Sequence, residues 1–266
     1  MKKLFEDLKK QNRAALAIFV SCGDPSLAFT EKLVERICGS GADIVELGVP
    51  FSDPVADGKI IQAAGGRAIK GGCTLDGVFK MVASLRAKGV DKKFVLFSYY
   101  NPIFKYGVDA AAEASAKAGI DAWLVVDVPL EECAEIKPAL DSRGIDLVPL
   151  AAPTTPLERV REMSEKGSGF LYYISVVGIT GARDSLPSGL AERIDAVRAN
   201  SRLPVAVGFG ISNGKMAAEV AKSADAVVVG SRFVDIAHRT LAESGEAAAL
   251  DAASAFVAEL AQSVGR

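Results

Sequence analysis

Asp43-Ile44-Val45-Glu46-Leu47-Gly48-Val49-Pro50-Phe51-Ser52-Asp53-Pro54-Val55-Ala56-Asp57-Gly58 is a short β-branched run that passes directly into a loop stiffened by two prolines. The run reads as a buried strand, because β-branched residues fit a pleated surface and its length is that of a strand. It carries a carboxylate, Glu46, and the loop adds Asp53 and Asp57 before closing at Gly58. A carboxylate at the end of a strand, facing others on a rigid loop, is the arrangement that acid–base chemistry needs. The bland alternative for Glu46 is a solvated glutamate at a strand end.

The same kind of run recurs along the chain. Apolar, β-rich segments occupy 15–21, 43–48, 93–98, 121–127, 145–150, 169–175, 204–208 and 225–230. Helical patterns lie between them, for example over 27–38, 75–87, 110–118, 157–166 and 215–222. Gly41, Gly89, Gly119 and Gly144 each follow a helical stretch and precede a strand, as helix C-termini prefer. Eight β–α alternations on roughly 250 residues predict a TIM (β/α)8 barrel, with a doubly wound sheet as the alternative. No break in composition divides the chain, so 1–266 reads as one domain. Residues 1–11 read as an extra amphipathic helix, with Leu4, Phe5 and Leu8 on one side to plug the barrel floor. The Ala-rich stretch 246–264 closes the ring.

Two connections are longer than the rest, about 49–92 and 176–203. In this fold, loops that follow strands lie on the catalytic face, and long ones act as lids or contact surfaces. The second opens Val177-Gly178-Ile179-Thr180-Gly181-Ala182-Arg183, and its glycines predict a lid over 177–190.

Bulk properties narrow the function. The chain has 266 residues, half of them hydrophobic, and a net charge of −2. That balance gives no electrostatic reason to expect nucleic acid or a membrane surface. No apolar run is long enough to span a bilayer, and Met1-Lys2-Lys3-Leu4-Phe5-Glu6 turns charged too soon for a signal peptide. Cys22, Cys38, Cys73 and Cys133 show no CxxC spacing and read as reduced residues of a cytoplasmic protein. With one histidine, His238, no His-rich metal site is expected.

The last two strand runs end in Val207-Gly208-Phe209-Gly210-Ile211-Ser212 and Val229-Gly230-Ser231-Arg232. In a barrel these loops form the usual phosphate site: glycines let the backbone approach, and a helix N-terminus meets the anion. Gly208 to Gly214 also fits GxGxxG, but far from an N-terminal βαβ unit, so a dinucleotide fingerprint is not indicated. Tight turns are the bland reading of either loop alone. Both together favour phosphate.

The chain resembles the tryptophan synthase α subunit family from end to end. The motifs that carry the resemblance are Gly23-Asp24-Pro25, the whole stretch Glu46 to Gly58, Asp127-Val128-Pro129, Gly178-Ile179-Thr180-Gly181-Ala182 and Gly208-Phe209-Gly210-Ile211-Ser212. The resemblance implies retro-aldol cleavage of indole-3-glycerol phosphate to indole and glyceraldehyde 3-phosphate. It implies no cofactor on this chain. It also implies a partner β subunit carrying pyridoxal phosphate, in an α2β2 heterotetramer.

That chemistry is consistent with the residues. Breaking the carbon–carbon bond requires an electron sink, usually a Schiff-base lysine or a metal. No strand end presents a lysine; Lys92 and Lys93 stand at the start of a strand. An indole protonated at C3 becomes its own sink. The resemblance assigns Glu46 as acid–base and Asp57 as the carboxylate at the ring N–H; Asp57 otherwise caps a helix starting near Gly58. Tyr172 orients Glu46 or the substrate hydroxyl, or is core. Phe19, Tyr99 and Phe209 line an indole slot or simply pack. Thr180 bonds Asp57 when the lid closes. Asp127 supports the carboxylates or caps a turn. Gly181, Gly210, Gly230 and Ser231 contact phosphate, joined by Gly208 and Ser212. Pro50, Asp53, Asn101 and Pro102 face the partner, although Asn-Pro also favours an ordinary turn. The rival functions are a stand-alone lyase releasing free indole and a non-catalytic barrel that binds a phosphorylated ligand and regulates a partner.

Overall fold

The computed structural model describes residues 1–174, 188–208 and 210–265. Their strands are β1 (Ala15–Ser21), β2 (Ile44–Gly48), β3 (Lys93–Ser98), β4 (Ala122–Val125), β5 (Asp146–Leu147), β6 (Leu150–Ala151), β7 (Leu171–Ile174), β8 (Val205–Gly208) and β9 (Ala226–Val229). All pairings between them are parallel, in the order β5-β4-β3-β2-β1-β9-β8-β7-β6. First and last strands pair, and every other neighbour is consecutive, which is the topology of the (β/α)8 barrel.

The single strand expected at 145–150 is in two pieces. Pro149 has no N–H and cannot donate to a ladder. Before it, the Val148 N–H donates to the Trp123 carbonyl of β4 at 2.8 Å; at it, the Pro149 carbonyl accepts from the Tyr172 N–H of β7 at 2.9 Å. The fifth strand therefore hands the ladder from one neighbour to the other, and β5 and β6 are its halves.

Alternate residues of each strand point into the barrel. Ala17, Ile44, Val95, Ala122, Ala206 and Val228 belong to one interior cluster, and small residues dominate where strands crowd. Helix α1 (Lys2–Lys10) closes the floor: Phe5 and Leu8 join that cluster, and the Phe5 ring lies 5.9 Å from Phe170. The Met1 amino group stands 3.4 Å from Asp146 and ties the start of the chain to the same rim.

The other strand faces meet the helices. Helix α2 (Leu27–Gly39) starts at Ser26, whose hydroxyl accepts from the Phe29 N–H at 3.2 Å. The connection 49–92 is mostly ordered: it contains α3 (Lys59–Lys70) and α4 (Leu75–Ala87), so the true loop after β2 is only 49–58. Helix α6 (Val108–Ala118) ends at Gly119 with φ +89°, a left-handed turn that returns the N–H groups of Gly119 and Ile120 to the Ser115 carbonyl. No helix among the described residues is long and apolar enough to cross a membrane. The four cysteines are unbridged. Burial pushes the Cys38 thiol up to about 12 and the Cys73 thiol to about 11, so neither is a thiolate at neutral pH.

Helix α3 contains two adjacent glycines, Gly65 and Gly66, and a Cβ on either would meet nothing within 4 Å. Nothing in the packing requires them. Gly66→Ala is therefore expected to stabilise the fold by about 1 kcal/mol, the helix-propensity difference. A urea melt with a raised midpoint and unchanged slope checks it; a lowered midpoint refutes it.

Candidate active site

Glu46 sits in β2 opposite Phe19 of β1 and Val95 of β3. Its side chain is completely buried, and neither carboxylate oxygen has a hydrogen-bond partner among the described residues. Removing a carboxylate from water without a partner disfavours its charged form. Burial accordingly pushes Glu46 up to about 8, so it holds its proton at neutral pH. Tyr172 projects from β7 into the same interior cluster. Its hydroxyl is pushed well above the ordinary tyrosine value, first by burial and then by the charge Glu46 would carry. A Cβ on Gly208 would fall 2.2 Å from the Tyr172 hydroxyl, so glycine at that strand end makes the room the tyrosine occupies.

Asp57 is presented by the loop 49–58, which is pinned along its length. The Val49 N–H donates to the Phe97 carbonyl at 2.9 Å, and the Ala56 N–H donates to the Tyr99 hydroxyl at 3.0 Å. The Gln62 amide donates to the Asp57 carbonyl at 2.8 Å, and the Phe51 ring lies 5.3 Å from Tyr99. Burial raises the Asp57 carboxyl to about 6, and a hydrogen bond from Tyr99 partly offsets it. Asp57 does not cap α3; Gly58 occupies that position without a side-chain bond.

Phe19 lies between two glycine-bearing strands. A Cβ on Gly48 would fall 2.3 Å from its ring, and one on Gly230 would fall 3.4 Å from its Cβ. The ring meets Phe97 edge-on at 5.2 Å. Phe19, Gly48, Phe51, Asp57, Phe97 and Tyr99 line one cavity, together with Ser21. Phe97 and Ser21 were not among the residues expected from the sequence. The available signal was strand alternation: Phe97 shares the parity of Val95, and Ser21 that of Phe19.

Asp127 is exposed, and its carboxylate accepts from the Tyr100 N–H at 2.7 Å. It thus anchors the start of α5 (Tyr100–Tyr106), immediately after the tyrosine that grips Asp57. Asn101 and Pro102 lie in the first turn of α5 rather than in a bare turn. Asp53 is exposed and accepts from the Ser52 hydroxyl at 2.5 Å, and Pro50 lines the cavity. Val55, on the loop 49–58, and Phe104, in α5, are large apolar residues exposed by 80% and 64%. Exposed apolar side chains on neighbouring segments are what a protein contact covers.

At the other side of the mouth, β8 ends at Gly208, and Gly210 adopts φ +82°. Beyond it, the Asn213 side chain accepts from the Met216 N–H at 3.0 Å and starts α10 (Gly214–Ala221). After β9, Gly230 precedes α11 (Ser231–Ser263), which is broken at Gly245. Ser231 therefore stands at a helix N-terminus, where N–H groups and the helix dipole favour an anion. Thr180, Gly181, Phe209 and residues 177–187 of the expected lid lie outside the described residues.

A barrel whose mouth pairs a neutral, buried glutamic acid with a half-buried aspartate, beside glycine turns and a helix N-terminus, is the frame of an acid–base enzyme. The chain belongs to the tryptophan synthase alpha chain family, whose family model matches residues 5–264. It is similar to the tryptophan synthase alpha chain of Geobacter sp. (strain M21), 51% identical over 230 residues and 86% of each chain. That of Methanosarcina acetivorans is 48% identical over 87% of this chain and 84% of its own. Among solved structures, tryptophan synthase subunit alpha from Legionella pneumophila str. Paris superposes with a TM-score of 0.92 at 33% identity, covering 99% of this chain and 97% of that one. A chain of Mycobacterium tuberculosis tryptophan synthase gives 0.89 at 33% identity, covering 99% and 97%.

Proposed function

We propose that this chain cleaves indole-3-glycerol phosphate to indole and glyceraldehyde 3-phosphate. The observation that carries this reading is Glu46: a fully buried carboxyl, without a partner among the described residues, pushed up to about 8. Such a group delivers a proton at neutral pH and is a competent base once it has done so. In the proposed reaction Glu46 protonates indole C3. The positive charge spreads to the ring nitrogen, where Asp57 stabilises it. The resulting Glu46 carboxylate takes the proton of the side-chain hydroxyl as the carbon–carbon bond breaks. A carbonyl forms on the leaving fragment, and the bond pair returns to the ring, giving neutral indole. Tyr172 orients Glu46. Phe19 and Tyr99 hold the ring, while Gly181, Gly210, Gly230 and Ser231 receive the phosphate. In this reading Asp127 acts indirectly, by fixing α5 and Tyr99.

The partner is a tryptophan synthase β subunit, in an α2β2 assembly, carrying pyridoxal phosphate. Pro50, Asp53, Asn101 and Pro102 form the contact, with Val55 and Phe104 as its apolar part. The loop 49–58 then serves both contact and chemistry, so the partner sets the rate. Indole release measured on the purified chain, with and without a β subunit, tests this. Weak release that rises strongly with the partner is expected. Full activity alone favours a stand-alone lyase, and no release in either mixture refutes the substrate.

A further inference from the structure

Three buried side-chain polar atoms have no hydrogen-bond partner among the described residues: the two carboxylate oxygens of Glu46 and the hydroxyl of Ser21. Unpaired buried polar atoms are rare because each costs stability, and those that persist mark a place where something else supplies the partner. Glu46 is accounted for by the proposed chemistry. Ser21 is not. It is the last residue of β1, in the inward row of Ala17 and Phe19, and it pairs in register with Gly48. It is 7% exposed. A serine in such a place usually bonds to nearby backbone, and this one does not.

The cavity it faces is lined also by Asp57, Tyr99 and Phe19 and has a volume of about 20 Å³. Asp57 is the carboxylate of that cavity. Its described side-chain donor is the Tyr99 hydroxyl, and a carboxylate accepts at about four lone-pair positions. An orphan hydroxyl and an under-coordinated carboxylate thus face one small space from adjoining strand and loop.

We propose that Ser21 is a positioning residue for Asp57: with substrate in the slot, its hydroxyl donates to the Asp57 carboxylate and, with Tyr99, aims it at the ring N–H. This rests on the reading of Asp57 as the group opposite that N–H. The unpaired hydroxyl is then a stability cost retained for function. A serine kept only for its small size makes the opposite forecast, since alanine would serve equally in every respect.

The test compares wild type, Ser21→Ala, Ser21→Thr, Asp57→Asn and the Ser21→Ala/Asp57→Asn double variant. Each is assayed with the β subunit for kcat and KM of indole release, and alone for its urea midpoint. Ser21→Ala is expected to hold or raise the midpoint while kcat falls roughly tenfold or more, the worth of one hydrogen bond to a charged group. KM is expected to change little. Ser21→Thr, which keeps the hydroxyl, restores most of kcat. Adding Ser21→Ala to Asp57→Asn costs about twofold or less, because the two act as one unit. An unchanged kcat in Ser21→Ala overturns the proposal. So does a lowered midpoint with a parallel loss of kcat, which is a structural role, or a double variant losing the full product of the single losses. Wild type that releases no indole overturns the function itself, and this proposal with it.

Discussion

Glu46→Gln is expected to reduce indole release by about 10³–10⁴-fold while the protein still folds, the upper range for loss of a general acid–base group. The amide matches the carboxyl in shape and is also neutral, but it carries no transferable proton. The fold tolerates it for a reason visible in the site: among the described residues Glu46 makes no hydrogen bond that the exchange would break. The pH dependence of stability gives a second readout. Burial raises the carboxyl from 4.5 unfolded to about 8 folded. Between those values the folded state holds a proton that the unfolded state has lost. Through Glu46, wild-type stability therefore declines as pH rises from about 4.5 through about 8, and Glu46→Gln lacks that part of the decline. Urea melts at pH 4, 6 and 8.5 check both proteins. Parallel pH curves, or a variant that does not fold, would show Glu46 to be structural.

Acidic residues illustrate how much the sequence discloses. Asp43 and Glu46 are three residues apart in one run, and composition treats them alike. Asp43 sits just before β2 and spends its carboxylate on Arg13, at 2.7 and 2.8 Å, and on the Leu16 N–H at 2.9 Å. Asp121 before β4 does the same with Arg86 and Lys93, and Asp225 before β9 with Arg198. These acids fasten the floor of the barrel. Lys93, at the start of β3, is held by Asp121 on that same floor. Position relative to the strand separates the two classes: Asp43 stands before β2, while Glu46 lies within it. The plug helix was equally legible, since Phe5 and Leu8 share one helical face and both are buried.

What escaped the sequence depended on long-range geometry. The break at Pro149 needed knowledge of which neighbour each half of the strand would pair with. The connection 49–92 read as a long loop of the kind that forms lids or contact surfaces; most of it folds as α3 and α4, which leaves 49–58 as the loop. Asp127 ends a strand run and read as supporting the carboxylates or capping a turn; its carboxylate accepts from the Tyr100 N–H at the start of the helix that follows β3, the preceding strand. Strand alternation could have put Ser21 in the row of Phe19, but only three-dimensional packing reveals that its hydroxyl has no partner among the described residues.

Asp57→Asn is expected to lower kcat by about 10²–10³-fold, the range for removing one preorganised electrostatic contact from a transition state. The side chain keeps its shape and can still accept from Tyr99, so binding of the neutral ring changes little and the loss falls on kcat rather than KM. Asp57 is raised from 3.8 to about 6. As pH falls through about 6 it takes up a proton and can no longer stabilise a cationic ring. As pH rises through about 8, Glu46 loses the proton it must deliver. Wild-type kcat/KM should therefore follow a bell with limbs near 6 and 8. Asp57→Asn should remove the acid limb and leave the alkaline one, because the groups sit on different elements and each is raised by its own burial. Stability moves the other way: the raised carboxyl costs the fold as pH climbs from 3.8 through about 6, so the variant should be at least as stable as wild type at pH 7. A pH–rate series on the two proteins with the β subunit decides it. An acid limb that survives in Asp57→Asn would assign that limb to another group and remove Asp57 from the electrostatic role. A rate within a few-fold of wild type would do the same.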